Sequence, residues 1–326
     1  MKLKSSVIAI SIILICYGIT HAWGFWGHQH INNKAVFTLP KSMFGFFKTN
    51  IGFITEHAVD PDKRRYADPE EAPRHFIDID RYGEHPFDSL PRTWKEAVAK
   101  IGEDTLKAHG IVPYHIPKML YRLTQAFKDK DKFKILKYAA ELGHYVGDAH
   151  VPLHCTRNYN GQLTGQHGIH GFWESRIPET YGDDYDYFVG RAHYIKDPIT
   201  YTWNIIKESY AAHDSVLQIE RELNAKTAAD RKFAFEERGS TVVKVYSKDY
   251  TAEYNQLLNG MVERRMRQAT IAVGSFWYTA WVNAGMPEIN DPEVIAITET
   301  FQTEMDSINN IYTNRKRMGS GAGHED

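Results

Sequence analysis

Cysteine is nearly absent from this chain of 326 residues, which has only Cys16 and Cys155. Cys16 closes an apolar run, Val7 to Cys16, that Lys2 and Lys4 precede and the small residues Thr20 and Ala22 follow, the pattern of a secretory leader with its cleavage site. Residues 1–22 therefore read as a removable signal peptide, and the mature chain is expected to be secreted or periplasmic. The run is shorter than the roughly 20 residues a membrane helix needs, and Ile15 before Cys16 is too bulky for a lipoprotein signal. Cleavage after Ala22 would leave Cys155 alone and exclude an internal disulfide, so another kind of cross-link must hold an exported protein together. A second long apolar run is missing too, which excludes a transmembrane anchor in the mature chain. Charge of one sign is also lacking: a formal net charge of −2 excludes a strongly basic nucleic-acid binder, and a hydrophobic fraction of 42% excludes disorder. Alternating strand patterns are scarce, and no repeat or low-complexity block is present.

What remains is helical periodicity. Ile116, Leu120, Leu123 and Phe127 share one helical face, and Ile135, Ala139, Leu142 and Val146 continue the pattern in a predicted helix over 131–148. A longer helix is predicted from Asp249 to Asn283, with Gly285 and Pro287 to stop it. The expected architecture is all-α, a single mainly helical domain over 23–286 followed by a polar, partly mobile tail over 287–326. Residues 56–91, rich in Pro, Asp and Arg, predict a long ordered loop of the kind that carries function. A charged connector is expected over 225–242.

Histidines and carboxylates are concentrated in four places. His144 and Asp148 are four residues apart in the predicted helix and so share a face on which they can grip one cation. Pro152 breaks the helix and His154 follows on the next turn. His170 and Glu174 repeat the four-residue spacing, a pattern that on its own suits an ion pair on a solvated helix face. Asp60 and His75 lie in the long loop, where such residues are commonly turn formers. Trp23 to His28 forms an aromatic segment directly at the expected cleavage site, a stretch that could equally pack on the core.

Together the four elements resemble the superfamily that contains the S1/P1-type nucleases and the bacterial zinc-dependent phospholipases C. An N-terminal Trp, a His-x-x-x-Asp followed by Pro-x-His, and a later His-x-x-Trp-acid occur in that order between Trp23 and about Met286, and the segment with Trp277 and Trp281 is similar to the family's last core helix. The resemblance implies three zinc ions. Asp60, His75, His144 and Asp148 would hold one; the amino group and carbonyl of Trp23 would join His28 and Asp148 on a second; His154, His170 and Glu174 would hold the third. Three dications against the carboxylates of Asp60, Asp148 and Glu174 leave a formal charge of about +3, suited to a phosphodiester anion. Zinc-bound hydroxide would be the nucleophile, with Asp60 as a candidate base. Zinc would also supply the missing cross-link, tying distant segments together.

Other histidines, His30, His57, His115, His150 and His167, read as ordinary residues or as partners that orient a ligand ring, and Cys155 as buried and inert. The substrate is a phosphodiester, with no protein partner implied. The segment from Arg157 to Gly168 departs from the Gly-Gly-Asn loop of the nucleases, their disulfides are impossible here, and the last acid is Glu174 as in the phospholipases C. The expectation leans to phospholipase C-like headgroup cleavage. The alternative is a single-strand nuclease or 3′-nucleotidase, which the close spacing of Trp23 to His28 and of Asp60 to His75 resembles. Phe76 and Tyr159 are candidate substrate contacts that could stack a base, line a headgroup pocket or simply pack. A zinc-binding protein without catalysis is the reading from another class.

Overall fold

The computed structural model describes residues 24–238, 241–289 and 293–318. The expected leader and Trp23 lie outside them. Among the described residues the chain is helical apart from one two-stranded hairpin, and no helix is long and apolar enough to cross a membrane.

Helix α1 (Gly24–Ala35) is the first element of the described residues, and α2 (Ile51–Glu56) and the short α3 (Asp60–Arg64) lie further along. The central pair is α4 (Val112–Lys128) and α5 (Lys132–Ala149), which pack along each other. Asp131 caps α5 by accepting from the Lys134 amide at 3.0 Å. Every residue from Ala139 to His150 is buried. A helix surrounded on all sides must satisfy its polar side chains inside the protein, and α5 carries Glu141, His144 and Asp148 on its buried turns.

Helix α1 reaches α5 through a glycine. A Cβ on Gly143 would lie 2.0 Å from Asn32 Oδ1, and Asn32 donates to the Ala140 carbonyl at 3.0 Å. His28 is one helical turn from Asn32 and His144 adjoins Gly143, so this close approach brings two histidines together; their rings stack at 3.9 Å.

The single helix predicted from Asp249 to Asn283 is two. The first, Lys248–Leu257, is separated from the second, which begins at Met261, because Asn259 and Gly260 take positive φ angles of 49° and 70° that no helix can pass through. Helix α6 (Pro198–Lys226) packs against α4 and the turn Pro152–Cys155 that follows α5. In α7 (Met261–Asn283) Trp277 donates to the Ala139 carbonyl at 2.9 Å and stacks on Phe47.

The charged connector contains the hairpin of β1 (Phe233–Arg238) and β2 (Thr241–Tyr246), with Phe233 opposite Tyr246. Tyr246 stacks on Phe172 at 3.7 Å and so braces the segment that holds His170 and Glu174. Within the expected tail, α8 (Glu299–Met318) buries Phe301, Met305 and Ile308 against Phe53 and Phe133, and Tyr312 meets Phe25 and Tyr66.

Candidate metal centre

Asp148 is the centre of the site. Its carboxylate lies 3.2 Å from His144 Nε2, 3.0 Å from His75 Nδ1, 3.3 Å from His28 Nε2 and 3.8 Å from His154 Nδ1. Helix α5 supplies His144 and Asp148 one turn apart, α1 supplies His28, and the loop after α3 supplies His75.

Hydrogen bonds turn two of these rings. Nδ1 of His144 donates to the Ala58 carbonyl at 2.8 Å, which leaves Nε2 as a lone pair facing His75 Nδ1 at 3.0 Å. Nδ1 of His154 donates to the His75 carbonyl at 2.7 Å, and the Ile77 amide returns a bond to the His154 carbonyl at 2.9 Å. Nε2 of His154 then points at Glu174, 3.4 Å away, which also faces His170 at 3.0 Å. Glu174 lies within a single π-helical turn, Phe172–Arg176, and His170 just before it, an irregularity common at functional sites.

Three groups of ligand atoms result: His28, His144 and Asp148; Asp62, His75 and His144; His154, His170 and Glu174. Within each, the ligand atoms lie within 4.8 Å of one another. Both ring nitrogens of His28 and His170, both oxygens of Asp62 and Glu174, Asp148 Oδ1 and His154 Nε2 are buried without a hydrogen bond. Buried polar atoms in such number need a partner. Imidazole nitrogen and carboxylate oxygen in groups of three are the donors zinc takes.

The charge balance fits the same partner. Burial, joined by His144, holds His28 below the usual histidine range, and burial also lowers His144, which favours in both the unprotonated ring that a metal takes. Burial works against ionised Asp148, yet His144 and His154 hold it well below the carboxylate range. His154 is pushed up to about 9, because Asp148 and Glu174 outweigh the effect of burial, so without metal a proton takes the place between the acids that a bound cation would take.

Asp60 is not in these groups. Its Oδ2 meets His57 Nδ1 at 2.6 Å, and Asp62 faces His75 and His144 instead, 3.7 Å from each. The two acids are two residues apart in one helical turn, so they point to nearly opposite sides, and it is Asp62 rather than the expected Asp60 that shares a group with His75 and His144. The pair Asp60-Pro61-Asp62 was the available signal, and only the packing of α3 chooses between its members.

Phe76 and Tyr159 are each only 6% exposed. Phe76 covers Gly110, where a Cβ would lie 2.6 Å from its ring, and Tyr159 meets His170 edge-on at 5.9 Å. Neither presents an open face for stacking. Arg65, which sequence reasoning passed over, lies 3.8 Å from Asp62 with a nearly buried side chain. Cys155 is buried, and burial pushes its thiol up to about 12, so it is inert. His150 is likewise buried, donating Nδ1 to the Val146 carbonyl at 2.7 Å away from the centre.

A family model described as S1/P1 Nuclease matches residues 23–277. The chain belongs to the S1/P1 nuclease family. Its place in the phospholipase C/P1 nuclease superfamily and its all-α fold agree with the resemblance drawn from the motifs. As an S1/P1 family protein it is an enzyme, a zinc-dependent hydrolase of phosphodiesters. A search of curated proteins finds no match.

Proposed function

We propose that this S1/P1 family enzyme works at a centre of three zinc ions. Asp62, His75, His144 and Asp148 would hold one, His28 and Asp148 would share the second with the Trp23 amino terminus, and His154, His170 and Glu174 would hold the third. The observation that carries this reading is the set of buried imidazole and carboxylate atoms that converge without hydrogen bonds. Bound zinc supplies hydroxide at neutral pH and a positive field for the phosphoryl oxygens.

The chain's own groups prepare the rest. Ala58 and the His75 carbonyl fix the tautomers of His144 and His154, so that each keeps a lone pair turned inward. Asp62, whose oxygens accept no hydrogen bond, orients the attacking water and takes its proton, the role first expected of Asp60. Arg65 places a permanent cation beside that acid, where it offsets the charge of a phosphodiester.

The bond cleaved is proposed to be the headgroup phosphodiester of a phospholipid. Supporting this are Glu174 in the last acidic position and the Arg157 to Gly168 segment in place of a Gly-Gly-Asn loop. The family match supports the second reading, single-stranded nucleic acid. Turnover of bis-p-nitrophenyl phosphate that a chelator abolishes is expected; chelator-insensitive or absent turnover would overturn the zinc reading. Faster release of headgroup from phosphatidylcholine than of nucleotides from single-stranded DNA and RNA is expected, and the reverse order would make the enzyme a nuclease.

A further inference from the structure

Glu71 is completely buried, four residues before His75. Its Oε2 accepts from Arg64 Nε at 2.7 Å and from Arg74 Nη1 at 2.5 Å. Its Oε1 accepts the Tyr145 hydroxyl and lies 3.5 Å from His75 Nε2. Arg64 also donates to Glu141 at 2.9 Å and to the Tyr145 hydroxyl at 3.3 Å.

Stability alone is a weak reason for such a network, because buried ion pairs replaced by packed apolar residues often leave a protein as stable or more so. Its position is more telling. Arg64 follows Asp62 by two residues, Glu71 precedes His75 by one turn, and Glu141 and Tyr145 flank His144. The network thus joins the same three segments that supply the group Asp62, His75 and His144. It meets His75 at the ring nitrogen opposite the one that enters the group, since Nδ1 is 3.0 Å from both Asp148 and His144.

We propose that Glu71 is the positioning residue for His75: its carboxylate holds the N–H at Nε2 and thereby keeps the Nδ1 lone pair aimed at the metal. The proposal rests on the zinc reading above and adds which nitrogen of His75 binds and what enforces it. A carboxylate is suited to this because it only accepts: one oxygen takes both arginines, and the other takes the Tyr145 hydroxyl and faces His75 Nε2, which has no other hydrogen-bond partner, at 3.5 Å. In Glu71→Gln the arginines claim the amide oxygen, so the amide N–H₂ turns to His75 and favours the opposite tautomer.

The test measures metal rather than activity. Zinc content by mass spectrometry, after equilibration with graded chelator, is expected to show one ion of the Glu71→Gln enzyme held about 10- to 100-fold more weakly, with the others unchanged. Tyr145→Phe, which leaves the carboxylate in place, is expected to lose thermal stability in the apo form but to keep wild-type zinc affinity. Unchanged zinc affinity in Glu71→Gln, or an equal loss in Tyr145→Phe, would reduce the network to a structural one and overturn the proposal. Should Glu71→Gln fail to fold, NMR on the ¹¹³Cd-loaded wild type decides: coupling of cadmium to His75 Nδ1 supports the proposal and coupling to Nε2 overturns it. A wild type that takes up no zinc would overturn the zinc reading itself, which separates that failure from this one.

Discussion

Asp60 and Asp62 differ by two positions and by nearly everything around them. Asp60 is engaged by His57 at 2.6 Å, whereas both oxygens of Asp62 are buried without a hydrogen bond beside His75 and His144. Asp62→Asn is therefore expected to lower activity on bis-p-nitrophenyl phosphate by about 100-fold or more and to cost a zinc ion. Asp60→Asn is expected to stay within a few fold of wild type with full metal content. Equal loss in both, read from kcat/KM together with bound zinc, would return Asp60 to the site. Residue-scale packing also decides Phe76 and Tyr159: aromatic side chains beside ligands could contact substrate, but burial commits both to the interior.

Among the elements, α1 and α5 set the site by how closely they approach. Gly143 has no Cβ to meet Asn32, and His28 can then reach Asp148 at 3.3 Å. Gly143→Ala is expected to force the helices apart, at a cost of roughly 1–3 kcal/mol for overpacking. It should weaken the ion that His28 and Asp148 share while sparing the ion at His154, His170 and Glu174, which sit on other segments. Metal titration followed site by site would check this, and a variant with all its ions at wild-type affinity would show that the helix contact does not govern the metal. The 169–176 segment has a different support, the hairpin whose Tyr246 stacks on Phe172.

At the scale of the whole molecule, four stretches far apart in sequence converge on one buried cluster, and the one cysteine of the described residues, Cys155, is free. Bound metal would then be the cross-link. Ligand present at 100 times its dissociation constant stabilises a site by about 2.7 kcal/mol, and a large domain gains roughly 2–4 °C in Tm for each kcal/mol. Stripping zinc is expected to lower Tm by at least about 5 °C, and readdition to restore it. Calorimetry on matched holo and apo samples measures this; an unchanged Tm would mean that the helical core alone holds the segments.

The sequence by itself determined whatever depends on local periodicity and order. The pairs His144 with Asp148 and His170 with Glu174 are legible because a helix repeats near four residues, and the order of motifs after Trp23 carries the family and the all-α class. Only the tertiary structure decided among groups that local rules leave equivalent. Nothing in Asp60-Pro61-Asp62 says which carboxylate faces inward, since that follows from where α3 docks. The connector's hairpin depends on support from Phe172, and the packed α8 depends on Phe53 and Phe133 across the chain. The Glu71 network joins residues up to 81 positions apart, so no window of sequence contains it. Periodicity is a property of neighbouring residues, whereas burial, ring orientation and the choice of ligand are set by contacts that exist only once distant segments have met.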